Sequence, residues 1–141
     1  MPTRHAVATW NGALKEGSGT VKLGSGSFEG NFSAASRFES GSGTNPEELI
    51  GAAEAGCFSM AFALELGEKG YKPRSIQTEA DVSIEPQGGG YAITKIDLRT
   101  IAEVPGIDRD VFMQIAEATR KACPVSKALA GTEIGLTATL K

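Results

Sequence analysis

Two cysteines, Cys57 and Cys123, are the residues of this chain with the widest chemical range. A thiolate is a strong nucleophile, and a pair of thiols can be oxidised to a disulfide and reduced again. They form no Cys-x-x-Cys pair, and taken singly each also reads as a small buried hydrophobe. Cys123 stands directly before Pro124. Proline suits the first position of a helix and disfavours helix at the residue before it, so the Cys123 sulfur is expected at a helix N-terminus, which favours a thiolate. Cys57 falls inside a long helical pattern, where the dipole helps little, so it needs a cation to become reactive. Arg37, placed by the pattern at a strand end, is the best candidate; its plainer reading is a surface arginine paired with Glu39. On the residues alone, Cys123 is the better attacker.

Other titratable groups carry less. Glu48 follows Asn45 by three positions and reads as a capping-box carboxylate, which leaves Glu47 as the freer acid. His5 is the only histidine, and a Cys-His hydrolase would need the fold to bring it to a cysteine. Two cysteines and one histidine without local spacing make a poor zinc site. No Gly-x-Gly-x-x-Gly leads from a strand into a helix and no P-loop is present, so neither a metal nor a cofactor is expected.

The stretch that must position these groups begins at Thr44. Asn45 can cap a helix and Pro46 suits its first position; Leu49, Ile50, Ala53, Gly56, Cys57, Met60, Ala61 and Leu64 then recur at helical spacing. This predicts a central helix of about twenty residues, roughly 30 Å long, with Cys57 on its packed face. Ahead of it, residues 4–10, 19–23 and 28–38 read as strands, the first ending in an Asn11-Gly12 hairpin turn. Behind it, Ile76, Thr78, Ala80, Val82 and Ile84 alternate with polar residues, and Gln87-Gly-Gly-Gly90 turns the chain into a second strand over 91–101. Asp108 can cap a second helix, buried through Val111, Phe112, Ile115, Ala116, Thr119, Ala122 and Cys123. A short helix over 125–129 and a strand over 132–140 complete the chain. The order suggests no regular βαβ winding, and the expectation is one α+β domain over residues 1–141.

Bulk composition narrows the classes. The chain has 141 residues, 40% hydrophobic and 22% charged, with a net charge of −3. That balance gives no electrostatic reason to expect nucleic acid or an anionic membrane as partner. No run of eighteen apolar residues suggests a spanning helix, and the opening residues lack the apolar run of a signal peptide, so the cytoplasm is the expected compartment.

Arg37-Phe38-Glu39, the run from Gly43 to Ala53, Cys57-Phe-Ser-Met60, Ala92-Ile-Thr-Lys95, Val104-Pro-Gly-Ile-Asp108 and Ala122-Cys-Pro-Val-Ser126 together resemble the OsmC/Ohr family of osmotically inducible and organic hydroperoxide resistance proteins. The likeness runs nearly end to end and is closer to the OsmC branch. Gly56 is a local departure, since alanine is usual before the first cysteine. The resemblance implies antiparallel sheets around a long central helix, in an intertwined homodimer with sites at the subunit interface. It also implies a thiol peroxidase acting on organic hydroperoxides, and less well on hydrogen peroxide, that is regenerated by a dithiol such as a lipoyl protein. By position it assigns the attacking thiol to Cys57, the resolving thiol to Cys123, and the flanking arginine and glutamate to Arg37 and Glu47, reversing the order read from the helix cap. A non-catalytic protein holding a hydrophobic ligand, and a thiol redox sensor, are the competing functions.

Overall fold

The computed structural model describes residues 1–141, which fall into two compact units, Met1–Leu49 and Ile50–Lys141. The elements are β1 (Ala6–Asn11), β2 (Ser18–Leu23), β3 (Glu29–Phe32), α1 (Ala34–Phe38), α2 (Pro46–Glu68), β4 (Ser75–Gln87), β5 (Gly90–Glu103), α3 (Arg109–Ala122), α4 (Pro124–Ala128) and β6 (Glu133–Leu140). A long helix and two small sheets make a mixed α and β fold.

In the first unit, β1, β2 and β3 form an antiparallel sheet in sequence order. The turn expected at Asn11-Gly12 is longer than two residues: Asn11 pairs with Ser18, and loop 12–17 is closed by the Gly17 amide donating to the Ala13 carbonyl. The strand expected over 28–38 stops at Phe32, and α1 follows. The cause is local. Ser33 and Ser36 cap each other reciprocally, each side chain satisfying the other's backbone N–H, so the chain turns helical where extension was expected. Arg37 therefore lies in the last turn of a helix, not at a strand end.

In the second unit, β4 and β5 form a long antiparallel hairpin. Gly88 and Gly89 both take positive φ at its two-residue turn, as a primed turn requires. The residues from Ile76 to Val82 alternate in burial as their sequence does, and the alternation breaks at Ser83, where the pairing with β5 shifts register before Ile84. β6 runs parallel to β5, which corrects the expectation of wholly antiparallel sheets. The two strands are joined by a crossover through α3 and α4, and such a return brings the chain back in its original direction.

Asp108 caps α3 through the Asp110 amide, and Phe112, Ile115, Ala116, Thr119 and Cys123 are buried as the spacing predicts, whereas Ala122 is exposed. The core is built on Phe58, Phe62 and Leu66 of α2, packed with Ile96, Leu98 and Ala102 of β5 and Phe112, Ile115 and Ala116 of α3. The Phe58, Phe62 and Phe112 rings form a tilted row with centroids 5.5 and 5.3 Å apart, each ring contributing about 2–3 kcal/mol by burial. A line of hydroxyls, Ser59 to Thr78 at 2.8 Å and Thr78 to Thr100 at 3.0 Å, ties the same helix to both strands.

The buried face of α2 is not the one read from its spacing. Ala53, Gly56, Met60 and Leu64 lie outward, Met60 77% and Leu64 60% exposed, while Glu54, Phe58, Phe62 and Leu66 are fully buried. Apolar residues occupy both faces, and the bulkier phenylalanines take the interior. By length and composition alone α2 is apolar enough to cross a membrane, but its Phe58, Phe62 and Leu66 are spent on the core of this unit.

Candidate active site

In the first unit, the start of α2 is locked to α1. The Asn45 side chain accepts from the Glu48 amide at 2.8 Å, capping α2, and its own amide nitrogen donates to the Ser36 carbonyl at 3.1 Å. The Ser36 hydroxyl donates to the Thr44 carbonyl at 2.7 Å. The capping box expected of Glu48 does not form, because its carboxylate accepts the Thr44 hydroxyl at 2.9 Å instead.

This frame sets the last turn of α1 against the first turn of α2. There Arg37 and Glu47 meet through paired hydrogen bonds, Nη2 to Oε1 at 2.7 Å and Nε to Oε1 and Oε2 at 3.1 and 3.3 Å. The plain pairing of Arg37 with Glu39 does not occur; Glu47, only 6% exposed, is its partner. The guanidinium also lies over the Phe38 ring, 5.4 Å from its centroid. Beside it, Trp10, Leu14, Phe32, Ala34 and Phe38 line an open, largely apolar pocket of about 280 Å³. The pair thus presents a fixed positive group at the edge of an apolar hollow.

In the second unit, Cys57 and Cys123 are brought together from positions 66 apart in the chain, as free cysteines with sulfur atoms 2.7 Å apart. Cys123 takes extended φ and ψ (−56° and 127°) between α3 and α4, as a residue before proline should, and is completely buried. Its thiol makes no cap hydrogen bond to α4. The backbone N–H of Val125, in the first turn of α4, interacts with Cys57 instead. The helix end that favoured Cys123 on sequence grounds therefore serves the other thiol.

That contact works against stronger influences. Burial, first, and the Cys123 thiol, second, push the Cys57 thiol up from its ordinary value; the Val125 amide pulls it down; the electrostatic influence of Cys123 and then of Glu54 pushes it up again. A thiolate at Cys57 thus calls for a positive charge beyond these groups.

Two residues that sequence reasoning passed over complete this cluster. Glu54, one turn before Cys57 on α2, is fully buried. Its Oε1 accepts the Ser126 hydroxyl of α4 and lies 3.9 Å from the Cys123 sulfur, while its Oε2 is buried without a partner. The available signal was spacing: an acid three residues before a cysteine shares its helix face. His5 is exposed in the other unit, its carbonyl accepting from the Gly24 amide.

Comparison with known proteins gives one answer at three levels. Residues 39–137 match the family of OsmC-like proteins. The chain is 50% identical to Peroxiredoxin OsmC of Escherichia coli (strain K12), over 86% of each chain. It is 35% identical to the organic hydroperoxide resistance protein of Xanthomonas axonopodis pv. citri (strain 306), over 71% of this chain and 68% of that one. The crystal structure of the organic hydroperoxide resistance protein OhrB of Bacillus subtilis superposes with a TM-score of 0.69 at 25% identity, covering 97% of this chain and 98% of that one.

Proposed function

The chain belongs to the OsmC-like family, and from that membership we propose that it is a cysteine-based peroxidase that reduces organic hydroperoxides, and hydrogen peroxide less well, at the expense of a dithiol. The observation that carries the proposal is the contact of two free thiols, Cys57 and Cys123, inside a folded unit. Two adjacent thiols suit the two-electron reduction of a peroxide, because the oxidised sulfur has its reductant at hand.

In this mechanism the Cys57 thiolate attacks the distal peroxide oxygen. The O–O bond breaks, the alkoxide leaves and takes a proton as alcohol, and Cys57 is left as a sulfenic acid. Cys123 attacks the Cys57 sulfur, the S–O bond breaks, water leaves, and a Cys57–Cys123 disulfide remains. An external dithiol, a dihydrolipoyl group by family likeness, returns both thiols by exchange. Cys57 attacks rather than Cys123 because it is the partly accessible sulfur of the two and holds the Val125 amide.

Arg37 supplies the positive charge that a Cys57 thiolate requires, and Glu47 holds the guanidinium in a fixed, paired geometry. The apolar pocket at Arg37 suits the organic part of a hydroperoxide better than water or hydrogen peroxide. We place the working site at the interface of a homodimer formed through α2. Its support is the outward face of that helix, where the small, exposed Ala53 and Gly56 leave room for another backbone and are followed by the exposed Met60 and Leu64.

The test of the proposal is consumption of cumene hydroperoxide with dihydrolipoamide as reductant, followed by mass spectrometry of the protein after peroxide. Steady turnover and an intramolecular Cys57–Cys123 disulfide are expected; a fully reduced protein that neither turns over nor forms that disulfide would overturn it. In the same assay, Arg37→Lys is expected to lose activity by about a hundredfold although the charge is kept, because an ammonium cannot reproduce the paired geometry with Glu47. Near-normal rates in that variant would remove Arg37 from the mechanism.

A further inference from the structure

We infer that Glu54 is the acid–base group of the disulfide-forming step, taking the proton from the Cys123 thiol and returning it to the hydroxide that leaves Cys57. The inference rests on the peroxidase reading above and assigns a residue to the disulfide-forming half of the reaction.

Glu54 is an expensive residue where it stands. A carboxyl group removed from water costs several kcal/mol unless it is paired. Here it has no cation: one oxygen accepts the Ser126 hydroxyl, and the other is buried with no partner. Structure alone does not require it, since a glutamine would fill the same space and keep the Ser126 contact without a charge. Its position also works against the first chemical step, because its negative charge disfavours a thiolate at Cys57. A buried acid that opposes one step and touches the sulfur of the next has a role in the next.

The geometry matches that role. Cys123 is completely buried, so its thiol proton has no direct route to water. The nearest carboxylate oxygen is Glu54 Oε1, 3.9 Å from the sulfur, within reach of a thiol donor. The Cys57 sulfur, which carries the hydroxyl after oxidation, is 2.7 Å from Cys123 on the same α2 helix as Glu54 and one turn further along. The step balances without another reagent. Glu54 takes the Cys123 proton, and the electron pair left on that sulfur forms the S–S bond. The S–O bond of Cys57 breaks, and the departing hydroxide takes the same proton from Glu54 to leave as water. Ser126 holds the carboxylate in place throughout.

The two steps respond in opposite directions to the loss of this charge, which makes the inference testable. Reduced Glu54→Gln protein, checked for native circular dichroism, is mixed with one equivalent of cumene hydroperoxide and quenched at intervals with dimedone to trap sulfenic acid. Loss of the Cys57 thiol is expected at the wild-type rate or faster. Disulfide formation is expected to slow by about a hundredfold, the ordinary worth of a positioned acid–base group, and dimedone adducts should appear that wild-type protein does not give. Disulfide formation at the wild-type rate would overturn the inference, and equal slowing of both steps would reduce Glu54 to a structural residue. Should the glutamine variant not fold, the wild-type single turnover in heavy water serves: disulfide formation slowed about twofold or more supports the transfer, and no isotope effect on that step overturns it. The peroxidase reading is tested separately by Cys123→Ser protein, where the absence of any dimedone adduct at Cys57 would overturn that reading whatever Glu54 does.

Discussion

Cys57→Ser protein is expected to lose hydroperoxide turnover by about a thousandfold or more, because removing the group that makes and breaks the covalent bond removes the reaction path itself. A serine hydroxyl is almost never ionised near neutral pH and forms no sulfenic acid. Cys123→Ser is expected to behave differently. Its first turnover proceeds, since Cys57 keeps its place and its Val125 contact, but the sulfenic acid then has no resolving thiol. A second equivalent of peroxide should carry Cys57 on to sulfinic acid, visible as added oxygen in the intact mass and as activity that dies after one cycle. Activity in Cys57→Ser at about a tenth of the wild-type rate would show that Cys57 is not the attacking sulfur. Sustained turnover in Cys123→Ser without sulfinic acid would show that the second thiol is dispensable. The two outcomes together distinguish a peroxidase from a protein whose cysteines are merely core residues.

What the sequence made legible was mostly what is local. Asn45 and Pro46 before α2, Asp108 before α3, the paired glycines at 88 and 89, and Cys123 held out of helix by Pro124 each act within a few residues, and each feature stands where its chemistry put it. The short helix α1 escaped notice because its capping box uses Ser36 where glutamate or glutamine is the usual signal. The buried face of α2 escaped for another reason. With Phe58, Phe62 and Leu66 on one side and Met60 and Leu64 on the other, hydrophobicity has no strong preference between faces, and only packing against β5 and α3 decides.

The site was legible to a different depth in each part. Two lone cysteines marked themselves by their chemistry, but which one holds the helix end depended on a bend at Pro124 that hands the Val125 amide to Cys57. The pairing of Arg37 with Glu47 came from family likeness, since Arg37 has Glu39 nearer to it in sequence. Glu54 was invisible because an acid on a helix is read as facing water; its burial depends on Ser126, seventy-two positions away. The parallel pairing of β6 with β5 is likewise non-local.

Heterodimers of Cys57→Ser with Glu47→Ala chains are expected to recover about half of the wild-type activity, although each variant alone is nearly inactive. Ten residues separate Glu47 from Cys57 on the unbroken helix α2, and ten residues of α-helix rise about 15 Å. A glutamate side chain reaches only a few ångströms, so two residues so spaced on one helix do not converge on one small substrate. Glu47 holds Arg37 of its own chain, so the guanidinium travels with it. A second copy of the chain, antiparallel across a twofold axis and packed on the outward face of α2, can bring the partner's pair to Cys57 and Cys123 while this chain's pair serves the partner's thiols. The electrostatics of Cys57 point the same way, since no positive side chain of its own unit acts on it, while Glu54 pushes its thiol up. In the mixed dimer one site then has intact thiols facing an intact Arg37–Glu47 pair, and the other carries both defects. If the site were complete within one chain, each site of the mixed dimer would carry one defect and the dimer would be as inactive as its parents. Differently tagged chains, co-expressed and purified by both tags in turn, give the heterodimer free of either homodimer. Its rate of cumene hydroperoxide reduction per dimer, set against wild type and both parents, decides the matter: about half the wild-type rate supports sharing in trans, and a rate no higher than the parents refutes it.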